Sequence, residues 1–341
     1  VDFTQQKLLY NVEITTPCRR APGNAPRGAQ EANPGYPGKR AGCRTTASES
    51  IWKHPRRPQR DTMKFSMSRR ILATTAAVIT AGGALIAGNT VNANPNGEYV
   101  AFGDSFVANP GATDELNGTG RPGHVCPVST TNVGFNVADQ LGMQLHDYTC
   151  NGTVAYVPTT PKTLAGYVDT AIQNGHVNGN TKLITVAIGA NDAMQAFWAP
   201  NEIQNDMFHQ SVTGSINRLK EHAPNAKVMV IGLPEIASRD GENYMCPANV
   251  FGNAPRVPAA PVRILEDNLQ ARQFAAAEAT GSTFINMKDV SNVDAAMCGP
   301  DGERHVSAFL DSDTANYNMP NHLTHEGSRV VATQVANAYR G

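Results

Sequence analysis

Tyr99-Val100-Ala101-Phe102-Gly103-Asp104-Ser105-Phe106 is the stretch on which the architecture turns. Glu98–Phe102 reads as a short buried strand, and Gly103 allows the chain to turn tightly where that strand ends. A serine at a break from strand into loop and helix has its hydroxyl exposed at the edge of the sheet. Backbone N–H groups that can stabilise an oxyanion lie next to it. Asp104 can hydrogen-bond neighbouring backbone. By itself Gly-Asp-Ser is equally an ordinary strand-end turn, because these residues fill many turns.

Outward from this stretch, Val- and Ile-rich runs at Lys182–Ile188, Lys227–Gly232 and Thr283–Asn286 read as further strands, with a weaker one at Gln144–Thr149. Helical spacing occupies about 131–141, 163–174, 202–222, 260–280 and 325–339. Strands alternating with helices predict a parallel sheet covered on both faces. The Gly/Pro/Asn-rich regions 234–258 and 294–320 read as long loops over the carboxyl edge of that sheet, where ligands bind in folds of this kind.

The chain has 341 residues and a formal net charge of -1, and nothing in its bulk composition points to nucleic acid. Residues 1–62 are rich in Arg, Pro and Gly and lack apolar periodicity; they are expected to be either non-native upstream sequence, with the true start at Met63 or Met67, or a leader, and in both cases without stable structure. From Met63 the pattern becomes Lys64, Arg69 and Arg70, an apolar run from Ile71 to about Ala87, and the small-residue end Val91-Asn92-Ala93. That layout predicts an export signal over 63–93, followed by one domain over 94–341. A membrane anchor fits less well, because the run is short and no stop-transfer charges follow. Cys126, Cys150, Cys246 and Cys298 are an even number in a chain read as exported, and the expected pairs are Cys126–Cys150 and Cys246–Cys298. Spacing alone leaves the other two pairings open. Cys18 and Cys43 belong to the leader.

The run YVAFGDSF resembles the first block of the SGNH (GDSL-like) hydrolases, and three further blocks follow in the family's order. The resemblance implies that Ser105 is the nucleophile and that its own N–H contributes to an oxyanion hole. Cys150-Asn151-Gly152-Thr153 is similar to the second block, which makes Gly152 a main-chain donor. Ile188-Gly189-Ala190-Asn191-Asp192 is similar to the third, which makes Asn191 a side-chain donor. Without that context Gly152 is a turn glycine and Asn191 an Asx-turn residue. Both gain weight because they end consecutive strands, so donors converge on one point, as an acyl-transfer transition state requires.

The last block is matched by His322-Leu323-Thr324-His325-Glu326-Gly327, which makes His322 the general base. Thr324 is a good N-cap and Glu326 suits a first helical turn, so His325 is expected on the surface of a helix that begins there. Met319 stands where the family usually has Asp, three residues before the histidine. His322 is therefore expected in a Ser–His dyad, oriented by a main-chain carbonyl near Met319; Asp311 and Asp313 are the alternative partners. A metal site at His322, His325 and Glu326 lacks the HExxH order and an evident third ligand.

The resemblance covers about Glu98 to Tyr339. It implies a three-layer α/β/α sandwich with a five-stranded parallel sheet, flavodoxin-like in outline. It also implies a secreted esterase or lipase that acts on acyl-ester small molecules or lipids through an acyl-enzyme. No cofactor, metal, nucleic acid or stable membrane insertion is expected, and the protein is read as a monomer. A cell-envelope acyltransferase on the same fold and a non-catalytic secreted binding protein are the alternative readings.

Overall fold

The apolar runs become strands because each is short, β-branched and bounded by turn residues. A computed structural model describes residues 96–117, 125–238, 242–290 and 296–341. The leader and the export-signal segment lie outside these residues. In chain order the first half comprises β1 (Glu98–Gly103), α1 (Ser105–Ala108), α2 (Ala112–Asn117), α3 (Val133–Leu141), β2 (Gln144–Thr149), α4 (Leu164–Gln173), β3 (Thr181–Ala187) and α5 (Ala190–Gln195). The second half comprises α6 (Asn201–His222), β4 (Lys227–Ile231), β5 (Tyr244–Met245), β6 (Ala248–Asn249), β7 (Val257–Pro258), α7 (Ala260–Ala279), β8 (Thr283–Ile285), β9 (Leu310–Asp311) and α8 (His325–Arg340).

Five strands form one sheet in the order β2-β1-β3-β4-β8, and every pairing is parallel. Alternate residues of β1 face opposite sides, as a strand dictates. Tyr99 and Ala101 pack with Val107, Val133, Val137, Val331 and Val335, which places α1, α3 and α8 in one layer. Val100 and Phe102 pack with Leu164, Val168, Phe208, Val212 and Leu269, which places α4, α6 and α7 in the other. The result is the expected three-layer α/β/α sandwich. Side-chain caps start α1, α3, α4 and α8: Asp104 accepts from Phe106 N, Asn132 from Phe135 N, Thr163 from Gly166 N and Thr324 from Gly327 N.

The helices α2 and α5 were not foreseen. Each has six residues, too few to display a repeating apolar face. The two long loops also carry some regular pairing, β5 antiparallel with β7 and β6 parallel with β9. Both expected cysteine pairs stand at disulfide distance, with Cα–Cα separations of 5.4 Å for Cys126–Cys150 and 5.0 Å for Cys246–Cys298. Buried charge organises the loops further. Arg263 pairs with Glu235 at 2.6 Å, and Lys288 pairs with Glu266 at 2.8 Å. Glu266 also accepts from the N–H groups of Ile236 and Ala237, which holds the segment after β4 against α7.

Topology fixes where a site can form. From β1 the chain crosses through α3 to β2 on one side, then returns through α4, in the opposite layer, to β3 on the other. The connections leaving β1 and β3 therefore diverge, which opens a crevice at their carboxyl ends.

Candidate active site

Strand register aligns three loops. Gly103 at the end of β1 is level with Thr149 of β2 and Ala187 of β3. The segments that follow, Asp104-Ser105, Cys150-Gly152 and Ile188-Asn191, consequently leave the sheet side by side. Gly103 is required for this closeness. A Cβ there would lie 2.2 Å from Val107 Cγ2 and 2.7 Å from the carbonyl oxygen of Ala187.

Asp104 caps α1 by accepting from Phe106 N at 3.0 Å, as the sequence suggested. Its second oxygen accepts from Ala190 N at 3.3 Å and so ties the Ser105 turn to the start of α5. Burial pushes the Asp104 carboxyl up to about 7, against the lowering effect of its backbone donors. Asp192 is also raised by burial, although it accepts from Ala155 N, Tyr156 N and Val157 N at 2.7, 2.9 and 3.1 Å. These bonds dock the loop after β2 onto α5.

Ser105 is the first residue of α1, where a helix leaves its N–H without an intrahelical acceptor. Gly152 has φ +77°, a left-handed conformation suited to glycine, and nothing would lie within 4 Å of a Cβ there. Among the described residues neither N–H donates in another backbone hydrogen bond. Asn191 Nδ2 donates to the carbonyl of Thr153 at 3.0 Å, which anchors the amide. An amide nitrogen carries two hydrogens, so one donor of Asn191 remains.

His322 approaches from the loop before α8. Its Nε2 lies 2.8 Å from Ser105 Oγ, and its Nδ1 lies 2.8 Å from the carbonyl oxygen of Pro320. A carbonyl can only accept, so Nδ1 carries the hydrogen and Nε2 offers its lone pair to the serine hydroxyl. The ring also packs against Phe106, with centroids 5.0 Å apart. Burial lowers the His322 pKa below its ordinary value of 6.5, outweighing the opposing effect of the Pro320 carbonyl.

The acceptor for Nδ1 is thus a main-chain carbonyl one residue beyond Met319. The alternative acids are engaged elsewhere. Arg304 holds both oxygens of Asp311, at 2.7 and 2.8 Å, and reaches Asp313 at 3.5 Å. Met319 turns its sulfur toward Asn151 Nδ2, 3.8 Å away. His325 is the first residue of α8, capped by Thr324, and its Nδ1 lies 2.9 Å from Thr131 Oγ1. It is half-buried and does not share the simple surface setting expected of it.

Three supporting residues escaped sequence reasoning. The Ser307 hydroxyl donates to the carbonyl of Met319 at 2.9 Å, and its N–H donates to the carbonyl of His322 at the same distance, bracing the turn that carries Pro320. Asn109, buried with φ +42°, donates to the carbonyl of Leu323 at 2.8 Å. Asn318 donates to the carbonyl of Asn109 at 3.1 Å, linking the end of α1 to the histidine loop. None of these residues belongs to a recognisable motif, and the bonds span up to 214 positions in sequence. No local signal could have announced them.

The profile of the GDSL-like Lipase/Acylhydrolase family matches residues 101–330. No curated protein sequence resembles the chain closely enough to count as a match. The solved structures it is similar to include phospholipase A1 from Streptomyces albidoflavus NA297, at 18% identity and TM-score 0.48, over 72% of this chain and 99% of that one. An extracellular lipase from Streptomyces rimosus has the same identity and TM-score, over 71% and 99%. Est24, a carbohydrate acetylesterase from Sinorhizobium meliloti, is 14% identical with TM-score 0.45, over 71% and 98%.

Proposed function

Because this chain belongs to the GDSL-like lipase/acylhydrolase family and is a carboxylic ester hydrolase, we propose that it cleaves its esters through Ser105, His322 and an acyl-enzyme. The observation that carries this reading is the 2.8 Å contact between His322 Nε2 and Ser105 Oγ, with Nδ1 hydrogen-bonded to Pro320. His322 takes the Ser105 proton as the hydroxyl oxygen attacks the ester carbonyl. The negative charge that forms on the carbonyl oxygen is received by Ser105 N–H, Gly152 N–H and Asn191 Nδ2. The protonated His322 then gives its proton to the departing alcohol, leaving an ester on Ser105. A water, deprotonated by the same imidazole, attacks that ester, and His322 returns the proton to Ser105 Oγ as its bond to the acyl carbon breaks, releasing the acid and restoring the free serine.

The Pro320 carbonyl fixes the ring tautomer, as a triad carboxylate would, but supplies no negative charge for the imidazolium. Two disulfide-distance cysteine pairs support an exported protein. Among the described residues no helix is long and apolar enough to cross a membrane.

Labelling by a fluorophosphonate tests the reading. Label should attach to the wild type, vanish in Ser105→Ala and collapse in His322→Ala. Folded wild-type protein that takes no label would refute it.

A further inference from the structure

Exposed large apolar side chains gather beside the candidate oxyanion donor. Met194 lies one helical turn beyond Asn191 on α5, so the two share a face. Met194, Phe197 and Trp198 are 66%, 67% and 75% exposed. At such exposure the side chains form a ridge that stands out from the surface, and a ridge cannot enclose a single acyl chain. It can enter a soft apolar layer. The ridge has a firm base, because Ala196 is buried against Val154 and Val157, and the indole N–H of Trp198 donates to the carbonyl of Gln195 at 3.0 Å. That bond satisfies the one polar group of the indole and leaves its apolar rings outward.

Charge selects the partner. No Lys or Arg occurs between Ala193 and Asn217, and the acids within that span are Glu202 and Asp206, on α6. Exposed Ile203 and Met207, four residues apart on that helix and each next in sequence to one of these acids, add further apolar side chains. Among the described residues the cation that reaches this part of α6 is Arg272, which is buried and spends its guanidinium on Asn201 and Asn205, so the exposed ridge and its acidic margin offer little to attract an anionic membrane or polyanion. Aromatic side chains at an uncharged boundary favour the interfacial zone of a lipid layer.

We infer that the Met194–Trp198 ridge docks this protein on the surface of aggregated, net-uncharged lipid, and so presents the Ser105 crevice to esters held in that surface. The inference rests on the reading of Ser105 as the reacting group only for the orientation of the docked protein.

Vesicle association of a Ser105→Ala variant tests it, because binding is then read without turnover. The probe is a phosphatidylcholine vesicle. Trp52 and Trp198 are the two tryptophans of the sequence, so adding Trp52→Phe leaves Trp198 as the reporter. Its emission should shift to the blue on vesicles and be quenched by brominated phosphatidylcholine. Phe197→Ser should weaken association tenfold or more, as should Trp198→Ser followed by sedimentation. Raising the salt to 1 M should leave binding intact, and phosphatidylglycerol should bind no more tightly. Unaltered thermal transitions of these surface variants will show that they fold. No association, association that survives both serine substitutions, or association abolished by salt would each overturn the inference. Failure of fluorophosphonate labelling, with vesicle binding retained, would instead count against the hydrolytic reading and leave the docking surface standing.

Discussion

Placing a carboxylate at position 319 should move the acid limb of the pH–rate profile upward. In the wild type His322 Nδ1 donates to the neutral Pro320 carbonyl, and burial lowers the imidazole pKa below 6.5. The base works only when neutral, so kcat/KM should fall tenfold for each pH unit below that pKa, with the limb centred below about 6.5. Met319→Asp adds a negative charge three residues before the ring. At about 5 Å and an effective dielectric of about 20, it would favour the imidazolium by about 3 kcal/mol. That corresponds to about two pH units, and to nearer one if solvent screens the pair. The sign follows from the charge: a carboxylate stabilises the protonated ring, so the base is lost at a higher pH. The assay is kcat/KM for a soluble short-chain ester between about pH 4 and pH 8, with fluorophosphonate labelling rates as a second readout. An acid limb that stays in place in a folded Met319→Asp variant would refute the reasoning. A wild-type limb centred well above 6.5 would also refute it.

Asn191→Ala should lower kcat by about 10²- to 10³-fold with little change in KM, since in the proposed mechanism the amide meets charge that exists only in the transition state. Steady-state kinetics on the same ester will check this. Cys298→Ser opens a closure of 52 residues and should cost about 4 kcal/mol by loop entropy, measured by chemical denaturation. The Asp104 carboxyl rises from 3.8 to about 7 on folding through burial. A raised folded pKa stabilises the protein fully below the unfolded value and is lost as pH climbs through the folded one. About three units correspond to a decline on the order of 4 kcal/mol between pH 4 and pH 8. Asp104→Asn, which has no such proton to lose, should flatten that decline in denaturation midpoints taken across the range. An unchanged slope would mean that the carboxyl is not held in this way.

The strands and longer helices were legible because their signals are local. Apolar runs bounded by turn residues, and caps such as Thr163 and Thr324, act within a few positions. The short helices α2 and α5 were not, because six residues carry no period. At the candidate site the sequence was informative where a motif ends a strand, as at Ser105, Gly152 and Asn191, since strand ends in a parallel sheet share one edge. It also offered, as partners for His322, a carbonyl near Met319 and the loop acids Asp311 and Asp313. Only the tertiary structure selected Pro320, because that choice depends on where Arg304 draws the two acids and on how Ser307 braces the turn. The sequence by itself thus determined the order of elements and the residue types at their ends. Strand register, the tautomer of His322 and the exposure of the Met194–Trp198 ridge were decided by packing between residues far apart in the chain, which leave no pattern in their own neighbourhoods.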